Sequence, residues 1–96
     1  MDDRARELAR IFKVLSVNTR VRILQILKGD TLCVNALAGR LDITPAAVSQ
    51  HLRILRDAGV VTDEKRGYYV HYRLNSERLR HWRELTEEFM ALPDEP

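Results

Sequence analysis

Apolar residues recur along most of the chain at spacings of three and four, then for a short stretch at every second position. Leu8, Ile11, Phe12 and Leu15 form a stripe at spacings of three, one and three, which predicts an amphipathic helix. Ser16-Val17-Asn18-Thr19 interrupts it with two residues of capping type, Asn18 and Thr19. A second helix follows, with Val21, Leu24 and Leu27 on one side and Ile23 and Ile26 widening the stripe. Coverage that broad predicts the most enclosed helix. Gly29 is expected to end it, as the residue that accepts the left-handed conformation past a helix C-terminus. A short helix from about Val34 to Leu41 leads into a three-residue break, Asp42-Ile43-Thr44. Thr44 supplies a capping oxygen, and Pro45 at the first helical position loses no needed N–H. The next helix therefore runs from Pro45 to about Ala58, with Val48, Leu52 and Leu55 facing inward and Gly59 closing it.

From Val60 the period falls to two. Val60-Val61-Thr62 enters an extended run, and in Tyr68–Leu74 the residues Tyr68, Val70, Tyr72 and Leu74 alternate with Tyr69, His71 and Arg73. Lys65-Arg66-Gly67 between the runs predicts a hairpin with a basic tip. One of the two alternating sets is expected to be core rather than a base-stacking platform. Asn75 caps a last helix carrying Leu79, Trp82, Leu85, Phe89 and Met90, closed by Pro93. Helix, tight turn and sharply capped helix is the spacing of a helix-turn-helix. With the hairpin directly after it, the arrangement is a winged helix. The expected fold is mostly α with a small β-hairpin, in the order α-α-α-α-β-β-α. With 96 residues, a single winged-helix domain over residues 1–96 is expected.

Composition narrows the function. The apolar fraction of 45% and charged fraction of 31% are those of a globular chain. No apolar run reaches the ~18 residues of a membrane span, and Met1-Asp2-Asp3-Arg4 opens with acid rather than a signal sequence, so a cytoplasmic protein is expected. One cysteine excludes an internal disulfide framework. Net charge is only +2, but its distribution is polar. Residues 1–29 carry seven bases and three acids, residues 30–73 six and five, and residues 74–96 three and six. The acidic end is not expected to lie on DNA. No glycine-rich phosphate loop, paired carboxylates or Cys–His–acid set is present, so enzyme chemistry is not expected.

With Val48-Leu52-Leu55 turned inward, the helix from Pro45 displays Ala46, Ser49, Gln50, Arg53 and, near its end, Arg56. These suit the major groove, which is wide enough to admit an α-helix. Gln pairs with adenine, Arg with guanine or phosphate, and small Ala allows close approach. The helix N-terminus at Thr44, Pro45 and Ala46 offers a phosphate site through its free N–H groups, Pro45 itself supplying none. Lys65 and Arg66 are candidate phosphate or minor-groove contacts. The same helix face, read alone, is also that of a solvated surface. The modest charge leaves open a winged helix used only to assemble proteins.

The run from Val34 to Val61, above all Val48-Ser49-Gln50-His51-Leu52-Arg53-Ile54-Leu55-Arg56-Asp57-Ala58-Gly59, resembles the core of the ArsR/SmtB family of winged-helix repressors. Leu15-Ser16-Val17-Asn18-Thr19-Arg20-Val21-Arg22-Ile23-Leu24 is similar to that family's second-helix entrance, and Arg66-Gly67-Tyr68-Tyr69-Val70-His71-Tyr72-Arg73-Leu74 to its wing. The resemblance covers roughly residues 6–92. It implies a homodimeric transcriptional repressor on a pseudo-palindromic DNA operator, released by a small effector that the sequence does not identify. Half-sites would lie ~10–21 bp apart. It also implies dimerisation through the first and last helices, here Leu8, Ile11, Phe12, Leu15, Leu79, Trp82, Leu85 and Phe89.

Many members of the family carry a run like Glu-Leu-Cys-Val-Cys-Asp-Leu at the third helix. This chain has Thr31-Leu32-Cys33-Val34-Asn35-Ala36-Leu37. A single thiolate does not close a soft-metal site. The family's other metal site, on the last helix, would retain only His81. No metal and no cofactor are therefore expected. Cys33 is either a small buried hydrophobe or a thiol switch. His51 is a boundary or DNA-contacting residue, and His71 and His81 are expected to be solvated.

Overall fold

The computed structural model describes residues 3–94; Met1, Asp2, Glu95 and Pro96, the ends of the acidic opening and tail, lie outside them. Five helices and a small sheet follow in the order α1 (Asp3–Leu15), α2 (Asn18–Leu27), β1 (Leu32–Cys33), α3 (Val34–Leu41), α4 (Pro45–Asp57), β2 (Val61–Arg66), β3 (Tyr69–Leu74) and α5 (Ser76–Met90). The helices and the hairpin match the sequence pattern. The addition is β1, a two-residue strand that pairs antiparallel with β3, Leu32 opposite Tyr72 and Cys33 opposite His71. The hairpin becomes a three-stranded sheet, β1-β3-β2. Two residues show no periodicity, so this strand was not legible.

Ile23, Leu37, Val48, Leu52, Leu55 and Val60 are almost fully enclosed, and Trp82 joins them from α5. The stripe of α4 is thus the floor that α2, α3 and the base of the sheet share. Two turns set its direction. Asp42 takes the left-handed conformation, φ 56°, and the N–H of Ile43 donates to the Ala38 carbonyl at 3.2 Å, closing α3 with a Schellman ending. Asp is among the few L residues that tolerate this backbone. Thr44 then caps α4, its Oγ accepting from the Ala47 N–H at 3.1 Å, with Pro45 at the first turn. Gly59 ends α4 at φ +82°, where an added Cβ would stand 3.2 Å from the Arg78 guanidinium carbon.

Other endings differ from expectation. The N-cap of α2 is Val17, with no side-chain cap, and Asn18 and Thr19 fall inside the helix. Gly29 has no positive φ; α2 ends through Lys28 in right-handed geometry. Arg20 does the work at this corner. It is buried, and its guanidinium donates to the Val14 carbonyl at 2.7 Å and the Lys13 carbonyl at 3.2 Å. These are the last-turn carbonyls of α1, which lack helical partners and carry the negative end of the helix dipole. Arg20 of α2 thus caps α1 together with the local Ser16 hydroxyl, which donates to the same Lys13 carbonyl at 2.7 Å.

At the far end of α4, the Asn75 amide nitrogen donates to the Gly59 carbonyl at 2.9 Å. Its oxygen accepts from the Arg78 N–H at 3.2 Å, capping α5. Along α5 and α1, His81 meets Glu7 at 3.0 Å, so that imidazole is engaged rather than simply solvated. Arg4 meets Glu88 at 2.6 Å. The protomer is elongated, 57 × 27 × 23 Å, with a radius of gyration of 15.3 Å, against about 13 Å for a compact domain of similar length.

Candidate nucleic-acid interface

Thr44, Pro45, Ala46, Ser49, Gln50 and Arg53 are all exposed, whereas Val48, Leu52 and Leu55 on the opposite side are enclosed. The predicted polar flank of α4 is therefore open along its length. Its first three turns hold no acidic residue; Asp57 is the first. An exposed helix N-terminus, a guanidinium and an amide on one uncovered face can take a phosphate and the edges of bases. Ile54, 43% exposed, adds an apolar position to this helix that suits a thymine methyl. The signal for it lay in the sequence: Ile54 falls off the Val48-Leu52-Leu55 stripe.

Arg56 does not join that face. Its guanidinium holds Asp63 of β2 at 3.2 Å and ties the end of α4 to the wing. The wing also departs from expectation. Arg66 pairs with Tyr69, which leaves a two-residue turn, Gly67-Tyr68. Gly67 has φ +63°, as hairpins with Gly at the first loop position require. Lys65 and Arg66 thus end β2 rather than forming the tip. Tyr68 stands at the tip, 99% exposed, instead of alternating in β3. Sequence reading missed this because period two extends unbroken through the turn. Of the alternating set, Tyr72 and Leu74 pack with Leu32 against the core, while Tyr69 on the other face is exposed.

Arg66 donates to Glu64 at 2.6 Å, and this hydrogen bond holds the Glu64 carboxyl below the usual carboxylate range. The basic end of β2 is therefore partly neutralised in the free protein. An exposed pair of this kind is worth little, so a phosphate can displace Glu64 at small cost.

His51 sits on α4 behind the open flank, half-buried, with Nδ1 enclosed and unpartnered. Burial, and then the Arg20 charge, push its pKa below the ordinary imidazole value of 6.5. Protonation is thus easier in the unfolded chain than in the native one. Stability contributed by neutral His51 is complete above about pH 6.5 and is lost as pH falls from there through the lowered value. His51→Gln is expected to flatten the fall in urea midpoint between pH 7.5 and 5.5 relative to the parent; equal slopes would remove His51 as its source.

Cys33 is half-buried at the start of α3, across the sheet from His71. His71 is itself half-buried with Nδ1 enclosed, not solvated. Among the described residues no three His, Cys, Asp or Glu side chains gather in metal-binding geometry, and no helix is long and apolar enough to cross a membrane.

The terminal-helix stripes divide into two groups. Leu8, Ile11 and Trp82 are buried inside the protomer. They keep little exposed surface in the protomer. Leu15, Leu79 and Leu85 are half-buried. Phe12 and Phe89 are exposed and meet each other, ring centroids 5.7 Å apart and tilted 54°. They line an open groove of about 420 Å3 between α1 and α5.

Comparison with known proteins agrees with this geometry. Residues 18–63 match the family described as bacterial regulatory protein, arsR family. The transcriptional repressor SdpR of Bacillus subtilis is 36% identical over 70 residues, covering 73% of this chain and 78% of SdpR. The arsenical resistance operon repressor of Escherichia coli is 40% identical over 67 residues, 69% of this chain but only 57% of that repressor. A crystal structure of a possible transcriptional regulator for arsenical resistance superposes with a TM-score of 0.78 at 37% identity, covering 84% of each chain. The helix-turn-helix and its wing, together with these likenesses across most of the chain, make it a member of the ArsR family of bacterial regulatory proteins.

Proposed function

We propose that the chain is a sequence-specific DNA-binding repressor, acting in the cytoplasm as a homodimer on a pseudo-palindromic operator and released by a small effector. The observation that carries this reading is the uncovered polar flank of α4 from Thr44 to Arg53, aimed away from its own core. Gln50 and Arg53 read bases; Thr44, Pro45 and Ala46 seat a phosphate; Ser49 assists; Lys65 and Arg66 hold the backbone beside the groove. Tyr68, at the wing tip, is placed to enter the adjacent minor groove.

Dimerisation is supported by area. The chain exposes 6966 Å2, against about 5,700 Å2 for a compact monomer of this length. The excess exceeds the roughly 800 Å2 that each partner buries in a standard interface. Phe12 and Phe89 are exposed, with Leu85 beside them in the groove.

Gln50→Ala and Arg53→Ala are each expected to cost about 1–3 kcal/mol on the cognate operator and to relax one base preference. Lys65→Ala is expected to weaken cognate and random duplex alike. If the dimer neutralises about eight phosphates, log affinity falls with log salt at a slope near −7. Selection from a random duplex pool, followed by anisotropy titration of these variants, tests all three. Equal losses for Gln50→Ala on cognate and random DNA would remove Gln50 from base reading. Absence of any salt-sensitive duplex binding would favour a protein-assembly module instead.

A further inference from the structure

A second groove, of about 530 Å3, lies between α1, the end of α2, the end of β3 and α5, and shares no residue with the Phe12–Phe89 groove. Its volume is that of a small-molecule site. The floor is apolar, its accessible part made by the half-buried Leu15, Leu74 and Leu79 with the enclosed Ile11 and Trp82 behind them, whereas Lys28, Arg80 and Arg83 stand among its lining residues. No carboxylate lines it among the described residues. Arg83 has a distant partner, Glu87 at 3.9 Å. Lys28 and Arg80 form no ion pair among the described residues.

Two opposed demands thus meet in one cavity. The floor favours a hydrocarbon body, which leaves water on binding. The cations favour an anionic head, and a guanidinium fork matches a carboxylate in particular. A neutral hydrocarbon would leave the charges unused, and a small inorganic anion would leave the floor wet.

We propose that this groove binds a single-chain amphiphilic carboxylate, its head held by Lys28 and Arg80 and its chain laid along the floor toward Trp82. Resting on the regulator reading above, we assign this ligand class as the effector. The groove reaches the start of α5 at Ser76, next to the Asn75 cap that also holds the end of α4.

Trp82 is the only tryptophan of the chain, so its emission reports on the groove directly. The test is a fluorescence titration of the full chain, without DNA, with decanoate below its micellar range, alongside decanol and decylammonium. Decanoate is expected to give a saturable change at least tenfold tighter than decanol, with decylammonium weaker still. The double variant Lys28→Gln/Arg80→Gln is expected to lose that tenfold preference and keep the parent melting temperature. Equal binding of decanoate and decanol, an unaffected double variant, or no saturable signal would overturn the site. So would a Trp82 signal that follows protein concentration and dimer formation but not decanoate, since the occupant would then be a second copy of the chain.

Operator affinity with and without decanoate tests the regulatory assignment separately. Weakening in the parent but not in the double variant supports it. Saturable decanoate binding with unchanged operator affinity overturns the effector role and leaves the site. A chain that binds no duplex at all defeats the regulator reading, while the fluorescence titration still decides the groove.

Discussion

Leu55→Ala is expected to lower the free energy of unfolding by about 2–5 kcal/mol, because truncating a fully packed leucine removes transfer energy and leaves a cavity. Leu55 is 0% exposed at the point where α4 crosses onto the base of the sheet. It shares its surroundings with Leu52 and Val60, which are equally enclosed. Whole domains are stable by only about 5–15 kcal/mol, so one substitution removes a large share. In a domain of this size the melting temperature should fall by about 8 °C or more, read by circular dichroism. Operator binding should be lost at the temperature where the fold is lost, and recovered on cooling. Arg53→Ala, two residues away and exposed, should leave the melting temperature within about 2 °C and act on DNA alone. A Leu55→Ala protein as stable as the parent would mean that the stripe of α4 is not what holds the reading helix in place.

Phe89→Asp is expected to raise the dimer dissociation constant at least thirtyfold in sedimentation equilibrium. Buried aromatic anchors at an interface commonly carry 2 kcal/mol or more, and each 1.4 kcal/mol is tenfold. Phe89 is 56% exposed in the protomer, so the substitution removes little internal packing. The fold should persist with its circular dichroism spectrum intact. Operator affinity should fall with dimerisation, because half-sites engaged separately lose the effective concentration that linkage provides. Trp82→Phe, whose side chain is already enclosed, should leave the dimer constant near the parent value. A parent protein that is monomeric at micromolar concentration, or a Phe89→Asp variant that dimerises normally, would place the interface elsewhere.

Helix periodicity marked all five helices because each buries one continuous stripe. The Thr44-Pro45 start of α4 was legible for the same kind of reason: a capping oxygen and a proline act within one turn of chain. Signals of longer range were not. Arg20 reads as a surface charge in a helix, and only the fold brings it under the open carbonyls of α1. Arg56 looks like a DNA contact until the strands set Asp63 beside it, and Arg66 has Glu64 beside it in the free protein. A stripe such as Leu8, Ile11 and Trp82 announces burial without saying whether the cover comes from the same molecule; the protomer alone encloses these three. The open face of α4 was legible because it is the complement of its buried stripe.

Asn75 is one short side chain, yet both of its amide atoms are committed, one to the end of α4 and one to the start of α5. Its own N–H donates to the Val60 carbonyl at 2.8 Å, so its backbone is anchored as well. This junction works like a riveted elbow. Through it a tilt of α5 would carry the back end of α4, whose other end starts at the turn before Thr44. Small displacements far from the double helix would thereby swing the two reading heads of a symmetric pair out of step with its pitch, without unfolding either of them.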